Sequence, residues 1–384
     1  MSFQTTLTVR IYDSYSKTYL WDVMDGDFER LTFSTALNGG FKAASISVRR
    51  NLSQVWQYVA QENQNRGRMF GHVEILEEAR LIWEGRIMQI GFDPSGMTET
   101  LDIEAMGYWS STKDQWYDDE DSGNTDWAAA GSSQFDDIVK EILTKSAPDI
   151  NSDQSNIQSP GVDVNGTEQF HERKYVQDHI LDSHYLTDGD GDQWFFAIWD
   201  ERIPYMFERD VSTLHWIVHR IDLGRSSIRQ DATWWRNNVL PIIGSTEGTE
   251  ASGARPSGVP LRDITVTVAT GTPTAQSQDE RDRILAERNQ VQQSQRFTVT
   301  GEVIDAVRGI FNVPKWRVRA GEVIRIADLV PSDVSTVSLD NLRTFYIMQT
   351  EYDARTDQLS VTPDRARLSL SSILAKQVTI ETTT

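Results

Sequence analysis

Residues 87–93 read Ile87-Met88-Gln89-Ile90-Gly91-Phe92-Asp93, and residues 347–353 read Ile347-Met348-Gln349-Thr350-Glu351-Tyr352-Asp353. In both, Ile-Met-Gln is followed at the same spacing by an aromatic residue and an aspartate. A polar turn comes next (Pro94, Ser95 and Gly96 in the first copy). Then comes a short alternating segment, Leu101-Asp102-Ile103 or Leu359-Ser360-Val361. Upstream of each, a glycine opens an alternating strand: Gly71-His72-Val73-Glu74-Ile75 and Gly321-Glu322-Val323-Ile324-Arg325-Ile326. Alternation with period two marks a strand with one face in a core and one in water. We read one small β-module present twice, and a repeat of this kind sets the architecture.

Outward from the first copy, Leu7, Val9 and Ile11, then Leu31 and Phe33, then Ile46 and Val48 alternate with polar neighbours. Asp25-Gly26-Asp27 and Asn38-Gly39-Gly40 supply turns between them. Val55, Trp56 and Val59 predict a short helix over 52–61. Leu81–Ile87 and then Leu101, Ile103, Ala105 and Gly107 complete a first β-barrel module over residues 1–110. Residues 111–233 read as an inserted α+β domain. Asp118-Asp119-Glu120-Asp121 is an expected exposed loop. Ser133, with Asp136 three residues on, is the expected cap of a helix whose apolar face is Phe135, Ile138, Val139, Ile142 and Leu143. A second helix is expected over 174–184, then strands at 194–199, 205–207 and 214–221. Residues 234–370 read as the second β-barrel module, with a linker at 244–260, a helix over 277–291 and a short helix over 303–310. A tail, 371–384, follows, and no appended catalytic domain is expected beyond it. The expected class is mainly β with an inserted α+β domain and two similar small barrels.

The chain has 384 residues, no cysteine and a formal net charge of -20, with a pI near 4.7. Its length allows two or three domains with real cores. Disulfides and thiolate metal sites are excluded. The first residues carry no basic or apolar leader pattern, and no apolar run approaches a membrane span, so a chain made without a signal peptide is expected. The acidic balance argues against a protein that grips phosphates, which requires Lys and Arg clusters. It fits a solvated acidic surface, a wall that DNA passes without sticking, or a salty habitat.

Several patterns invite a chemical reading. Asp188, Asp190 and Asp192 have the first spacings of a calcium loop, but Gln193 and Trp199 stand where its glycine and bidentate acid belong. A solvent-facing turn is the expected role, and neither a metal nor a cofactor is expected. His215 and His219 are spaced as helical zinc ligands, but Leu214, Trp216 and Val218 alternate with them and predict a strand with structural histidines. No nucleophile elbow and no phosphate-binding glycine loop is present. Trp109, Trp116, Trp127, Trp194, Trp199, Trp216, Trp234 and Trp235 are either core or an aromatic platform for sugars or a partner, with core the expectation.

In this order along the chain, certain residues resemble baseplate or tail hub proteins of tailed phages and related injection machines. Arg319-Ala320-Gly321-Glu322-Val323-Ile324-Arg325-Ile326 resembles their late Arg-Ala-Gly-acid hairpin. Leu81-Ile82-Trp83-Glu84-Gly85-Arg86-Ile87 is similar to their first-barrel strand, and Ala105-Met106-Gly107-Tyr108-Trp109 to the exit from that barrel. The helix from Ser277 to Val291 is also similar. The insert matches only in position and α+β character. The resemblance implies a non-enzymatic homotrimer at the tip of a virion tail. It implies a tail tube or distal tail protein, a fibre or spike and a tape-measure protein as partners, with DNA only in passage. Two barrels taken three times would present six quasi-equivalent positions to a six-fold tube. An acidic channel would repel DNA over about 8 Å at physiological salt. Two other readings are a host-surface carbohydrate-binding adhesin and a glycosidase with a carboxylate pair that spacing alone does not identify.

Overall fold

The computed structural model describes residues 7–12, 18–24, 27–49, 70–93, 100–165, 170–181, 186, 193–224, 230–231, 236–253, 260–268, 277–278, 281–282, 284–285, 292–293, 296–328 and 344–363. Sixteen strands form one sheet. In chain order they are β1 (Leu7–Tyr12), β2 (Tyr19–Met24), β3 (Phe28–Ala36), β4 (Gly39–Arg49), β5 (His72–Glu77), β6 (Arg80–Asp93), β7 (Thr100–Met106), β8 (Trp194–Trp199) and β9 (Ile203–Glu208). Then follow β10 (Trp216–His219), β11 (Phe297–Val299), β12 (Val303–Asp305), β13 (Ile310–Val313), β14 (Val323–Ala327), β15 (Thr344–Asp353) and β16 (Gln358–Pro363). The path runs β2-β1-β5-β6-β7-β4-β3-β15-β14-β10-β12-β13, with β16 beside β15 and β11, and β8 beside β4 and β9. The protein is mainly β. The ladders follow one open path, and no pairing among the described residues closes either module into a barrel.

The alternating residues read from the sequence fill one continuous core. Val9, Ile11, Ile46, Ile75, Trp83 and Ile103 from the first module share it with Val299, Ile324, Ile347 and Val361 from the second. A separate core lies in the insert, where Phe135, Ile138, Val139 and Ile142 of an α-helix (Phe135–Ser146) meet Tyr117, Phe170, Val176 and Ile180. Strand β8 divides its side chains between the two cores. Phe195 points into the main one, and Trp194, Phe196 and Ile198 point into the other, as period-two alternation requires. β8 reaches the first module at the β3–β4 turn, pairing parallel with Gly39 and Gly40. Gly40 has φ +76°, and a Cβ there would lie 2.1 Å from the Ile198 carbonyl oxygen, so only glycine allows this approach.

Other expectations need correction. The 135–146 helix is not capped by Ser133, which sits in a short strand opposite Val164; Gln134 is the cap residue, and Asp136 and Asp137 occupy the first turn. The expected helix at 303–310 is the β12–β13 hairpin. Asp305 accepts the Arg308 N–H and Gly309 has φ +66°, which turns the chain back where helical spacing suggested continuation. The second insert helix is a short one, Val176–Ile180. The stretch expected as a linker, 244–260, contributes Thr246–Glu247 and Ala251–Ser252 to a four-stranded sheet with Asn238–Ile243 and Asp263–Val268. Helical turns occur at 277–278, 281–282 and 284–285, within the expected 277–291 helix. The expected helix at 52–61 and the tail at 371–384 lie outside the described residues. No helix among the described residues is long and apolar enough to cross a membrane.

Candidate assembly interface

The two stretches quoted first are the same hairpin, pair for pair. In β6–β7, Ile87 faces Ala105, the ladder skips Met88, and Gln89, Ile90, Gly91, Phe92 and Asp93 face Glu104, Ile103, Asp102, Leu101 and Thr100. In β15–β16, Ile347 faces Pro363, the ladder skips Met348, and Gln349, Thr350, Glu351, Tyr352 and Asp353 face Thr362, Val361, Ser360, Leu359 and Gln358. A bulge held at one position bends both strands in the same way. The likeness extends one strand each side. Ile46 and Val48 of β4 face Ile103 and Leu101, as Phe297 and Val299 of β11 face Val361 and Leu359. His72 and Val73 of β5 face Arg86 and Gly85, as Val323 and Ile324 of β14 face Tyr346 and Phe345.

The glycines expected to correspond do not. Ile87 bonds the Phe70 N–H and the Gly71 carbonyl, whereas Ile347 bonds the Gly321 N–H and the Glu322 carbonyl. Gly321 therefore answers to Phe70, one residue earlier than Gly71. Both adopt the left-handed region, at φ 88° and 69°, and the position needs that backbone in each copy.

The modules join where β3 pairs with β15. Gln349, Thr350, Glu351, Tyr352 and Asp353 face Ala36, Thr35, Ser34, Phe33 and Thr32. Met348 and Leu31 carbonyls accept the Leu37 and Ala354 N–H groups at 2.8 and 2.9 Å. The hydroxyls of Thr35 and Thr350, both buried, lie 2.6 Å apart, and Thr35 Oγ1 also accepts the Ala320 N–H at 3.0 Å. The Phe33 and Tyr352 rings meet across the join with centroids 5.4 Å apart. Arg319 locks three parts of the chain together. Its guanidinium donates to both Asp200 oxygens at 2.9 and 3.0 Å, and lies over the rings of Phe41 and Trp199 at 5.3 and 5.7 Å. Its backbone N–H donates to Glu322, which also receives the Trp216 indole N–H at 2.6 Å. Burial pushes the Glu322 carboxyl above its ordinary range. The Arg-Ala-Gly motif read from the sequence thus supplies a clamp, a join donor and a left-handed turn.

The edge of β6 that corresponds to this join has no partner strand among the described residues. The β7 side of Gln89–Asp93 is paired, but among the described residues no strand pairs with the other side beyond Ile87. Near that edge Phe70 is 43 % exposed. In the second module the strand position of β3, next to β11, is taken by Asp222–Gly224: Leu223 bridges Val299, and Gly224 donates to the Thr298 carbonyl at 2.8 Å. Ile221, just before it, is 90 % exposed.

Asp188, Asp190 and Asp192 lie outside the described residues. The strand predicted by the alternation is present as β10: the His215 Nδ1 accepts the Val323 N–H at 3.2 Å, and His219, at the strand's end, contacts Asp328. Trp109, Trp127, Trp194 and Trp216 are buried and Trp199 is half-buried, while Trp116 stays exposed against Tyr175 at 3.9 Å. Trp234 and Trp235 lie outside the described residues. Sequence reading missed Asp119, which falls in the expected exposed loop but is buried and 2.6 Å from His171, and the buried group His72, Glu74 and Glu84.

No protein-family model matches the chain, and no curated protein matches it. Solved structures do. The tail protein from Neisseria meningitidis MC58 is 12 % identical, with 92 % of this chain and 95 % of that one covered at a TM-score of 0.58. The 43 kDa tail protein of prophage MuSo2 from Shewanella oneidensis is 9 % identical, covering 93 % and 96 %, at 0.56. The prophage tail protein gp18 from Listeria monocytogenes EGD-e is 12 % identical, covering 98 % and 99 %, at 0.54. At these identities the likeness speaks for the fold, and it runs nearly end to end in all three: the chain has the fold of phage tail proteins.

Proposed function

We propose that the chain is a non-enzymatic hub at the distal end of a phage tail tube, acting as a ring of three copies. Each copy supplies two like modules, which the ring presents as six near-equivalent positions to the tube or a distal tail protein, with a three-fold face for a fibre or spike. The sheets of such a ring would form the barrel-like wall expected from the sequence, around a passage for the tape-measure protein and then DNA. The observation that carries this reading is the pairing of β3 with β15 inside one chain, while the equivalent edge of β6 has no partner strand among the described residues. In the ring that edge takes the segment of the next copy in which Asp222–Gly224 lies beside β11 and Gln230–Asp231 pairs with Gln292–Gln293. The join would bury Ile221, contributing about 1.5–3 kcal/mol, and the exposed part of Phe70, contributing about half as much, with backbone hydrogen bonds at about 0.5–1.5 kcal/mol each. Light scattering of the full chain should give three times 43.7 kDa. Phe70→Gly, which keeps the left-handed turn, combined with Ile221→Asp should yield a folded monomer. A wild-type protein that stays monomeric when co-expressed with a tube-end partner overturns the reading.

The carbohydrate-binding alternative rests on Trp116, the exposed indole of the insert. A glycan array comparing the chain with Trp116→Ala separates it from the hub.

A further inference from the structure

We propose that His72, Glu74 and Glu84 bind one divalent transition-metal ion, of the Zn2+ class, pinning β5 to β6 where the chain leaves the first module. His72 and Glu74 are two apart on β5 and share a face, and Glu84 of β6 is directly opposite Glu74. Like charges directly opposite on a sheet are destabilising, and here the two carboxylates meet in the interior. His72 is 2 % and Glu84 1 % exposed, and the Glu74 side chain 15 %.

The groups around these three side chains are arranged as they are around metal ligands. The Tyr108 hydroxyl lies 2.6 Å from His72 Nδ1, which fixes the ring and turns Nε2 toward the carboxylates. Glu74 Oε2 accepts the Tyr12 hydroxyl at 2.7 Å, and Glu84 Oε1 accepts the Arg202 backbone N–H. Each carboxylate is thereby oriented through one oxygen, and its other oxygen faces Nε2, at 3.0 Å for Glu74 and 3.7 Å for Glu84. Tetrahedral bonds of about 2.0–2.1 Å place ligand atoms about 3.3 Å apart, and the two observed spacings bracket that value. A proton on Nε2 can satisfy the nearer oxygen; the farther one is beyond hydrogen-bond reach of it. The three ligand atoms all lie within 4.8 Å of one another, close enough for one divalent ion to contact each. One imidazole and two carboxylates suit Zn2+ or Mn2+ better than Ca2+, which collects six or more oxygens.

The test is calorimetric titration of the chelator-treated full chain with Zn2+, repeated with Mn2+ and Ca2+, alongside thermal unfolding. The expected result is one Zn2+ per chain with a matching rise in Tm, weakened at least 100-fold in His72→Gln and Glu84→Gln. Tyr108→Phe should weaken binding about 10-fold as a positioning residue. Glu74→Gln, at the most exposed ligand, decides between the outcomes if a buried variant fails to fold. Absence of binding overturns the proposal. Binding unchanged in all three ligand variants also overturns it, placing the ion elsewhere, with Asp119, Asp126 and His171 the other close group of such side chains among the described residues.

Discussion

Replacing Arg319 by Met tests the clamp that holds the two modules and the insert in one orientation. Met keeps most of the aliphatic stem, so the loss isolates the guanidinium. The Asp200 pair is bidentate, but Asp200 is 45 % exposed, and screening reduces its share to about 0.5–1 kcal/mol. The contacts over Phe41 and Trp199 add about 0.5–1 kcal/mol each. The carbonyls of Leu81 and Ile82, both 3.5 Å away, add little. The sum is about 1.5–3 kcal/mol, read as a drop in urea midpoint at unchanged slope. Arg319→Lys should lose nearly as much, because an ammonium can neither fork onto Asp200 nor lie flat on two rings. A double-mutant cycle with Asp200→Asn should return a coupling of about 0.5–1 kcal/mol. A loss below about 0.5 kcal/mol for Arg319→Met, set against these magnitudes, or a Lys variant as stable as wild type, refutes the clamp.

Two further outcomes concern single positions. Gly40→Ala forces a Cβ onto the Ile198 carbonyl and into an unfavourable φ, so it should cost about 2–5 kcal/mol and lower the unfolding temperature, whereas Gly161→Ala, with φ +67° but open space around it, should lose only the conformational part. Glu322 holds its proton to higher pH in the folded chain than when unfolded, since burial raises it from 4.5. Its contribution therefore falls as pH rises above 4.5 and levels off once the folded carboxyl ionises. Glu322→Gln should match wild type at lower pH and gain on it above, in urea midpoints compared from about pH 4 to 8; a constant difference across that range contradicts the assignment.

The likeness of the two hairpins was legible because bulge, register and aromatic position are written locally, in Ile-Met-Gln and the aromatic-Asp pair that follows. The glycine correspondence was not, because Phe70 adopts the left-handed backbone that Gly321 takes without strain, and residue type misdirected the alignment by one position. The 303–310 helix was misread because Val303, Ala306 and Ile310 mimic helical spacing, while the Asp305 side chain and Gly309 set a turn instead. The insert helix was legible from its apolar face, yet its cap was not, since Ser133 is drawn into a strand by Val164, far along the chain. Tertiary pairing also hid the His72–Glu74–Glu84 group. Nothing in the sequence says that Glu84 returns opposite Glu74, so three ordinary strand residues become a cluster only when the ladder is known. The β6 edge without a partner strand among the described residues is likewise visible only by comparison with the occupied edge of β15.

Cross-linking asks directly whether another copy fills the corresponding edge of β6 as β3 fills that of β15. The chain has no cysteine, so introduced pairs report without background. Gln349 faces Ala36 within one chain; Asp231 pairs with Gln292 shortly before β11 as Thr35 pairs with Phe41 of β4, so the proposed ring brings Asp231 of a neighbour beside Gln89. A Gln349→Cys/Ala36→Cys chain should cross-link internally with a short bis-maleimide, and a Gln89→Cys/Asp231→Cys chain should cross-link between copies into a closed trimer. Efficient internal linkage of the first pair with only monomer from the second would contradict the ring.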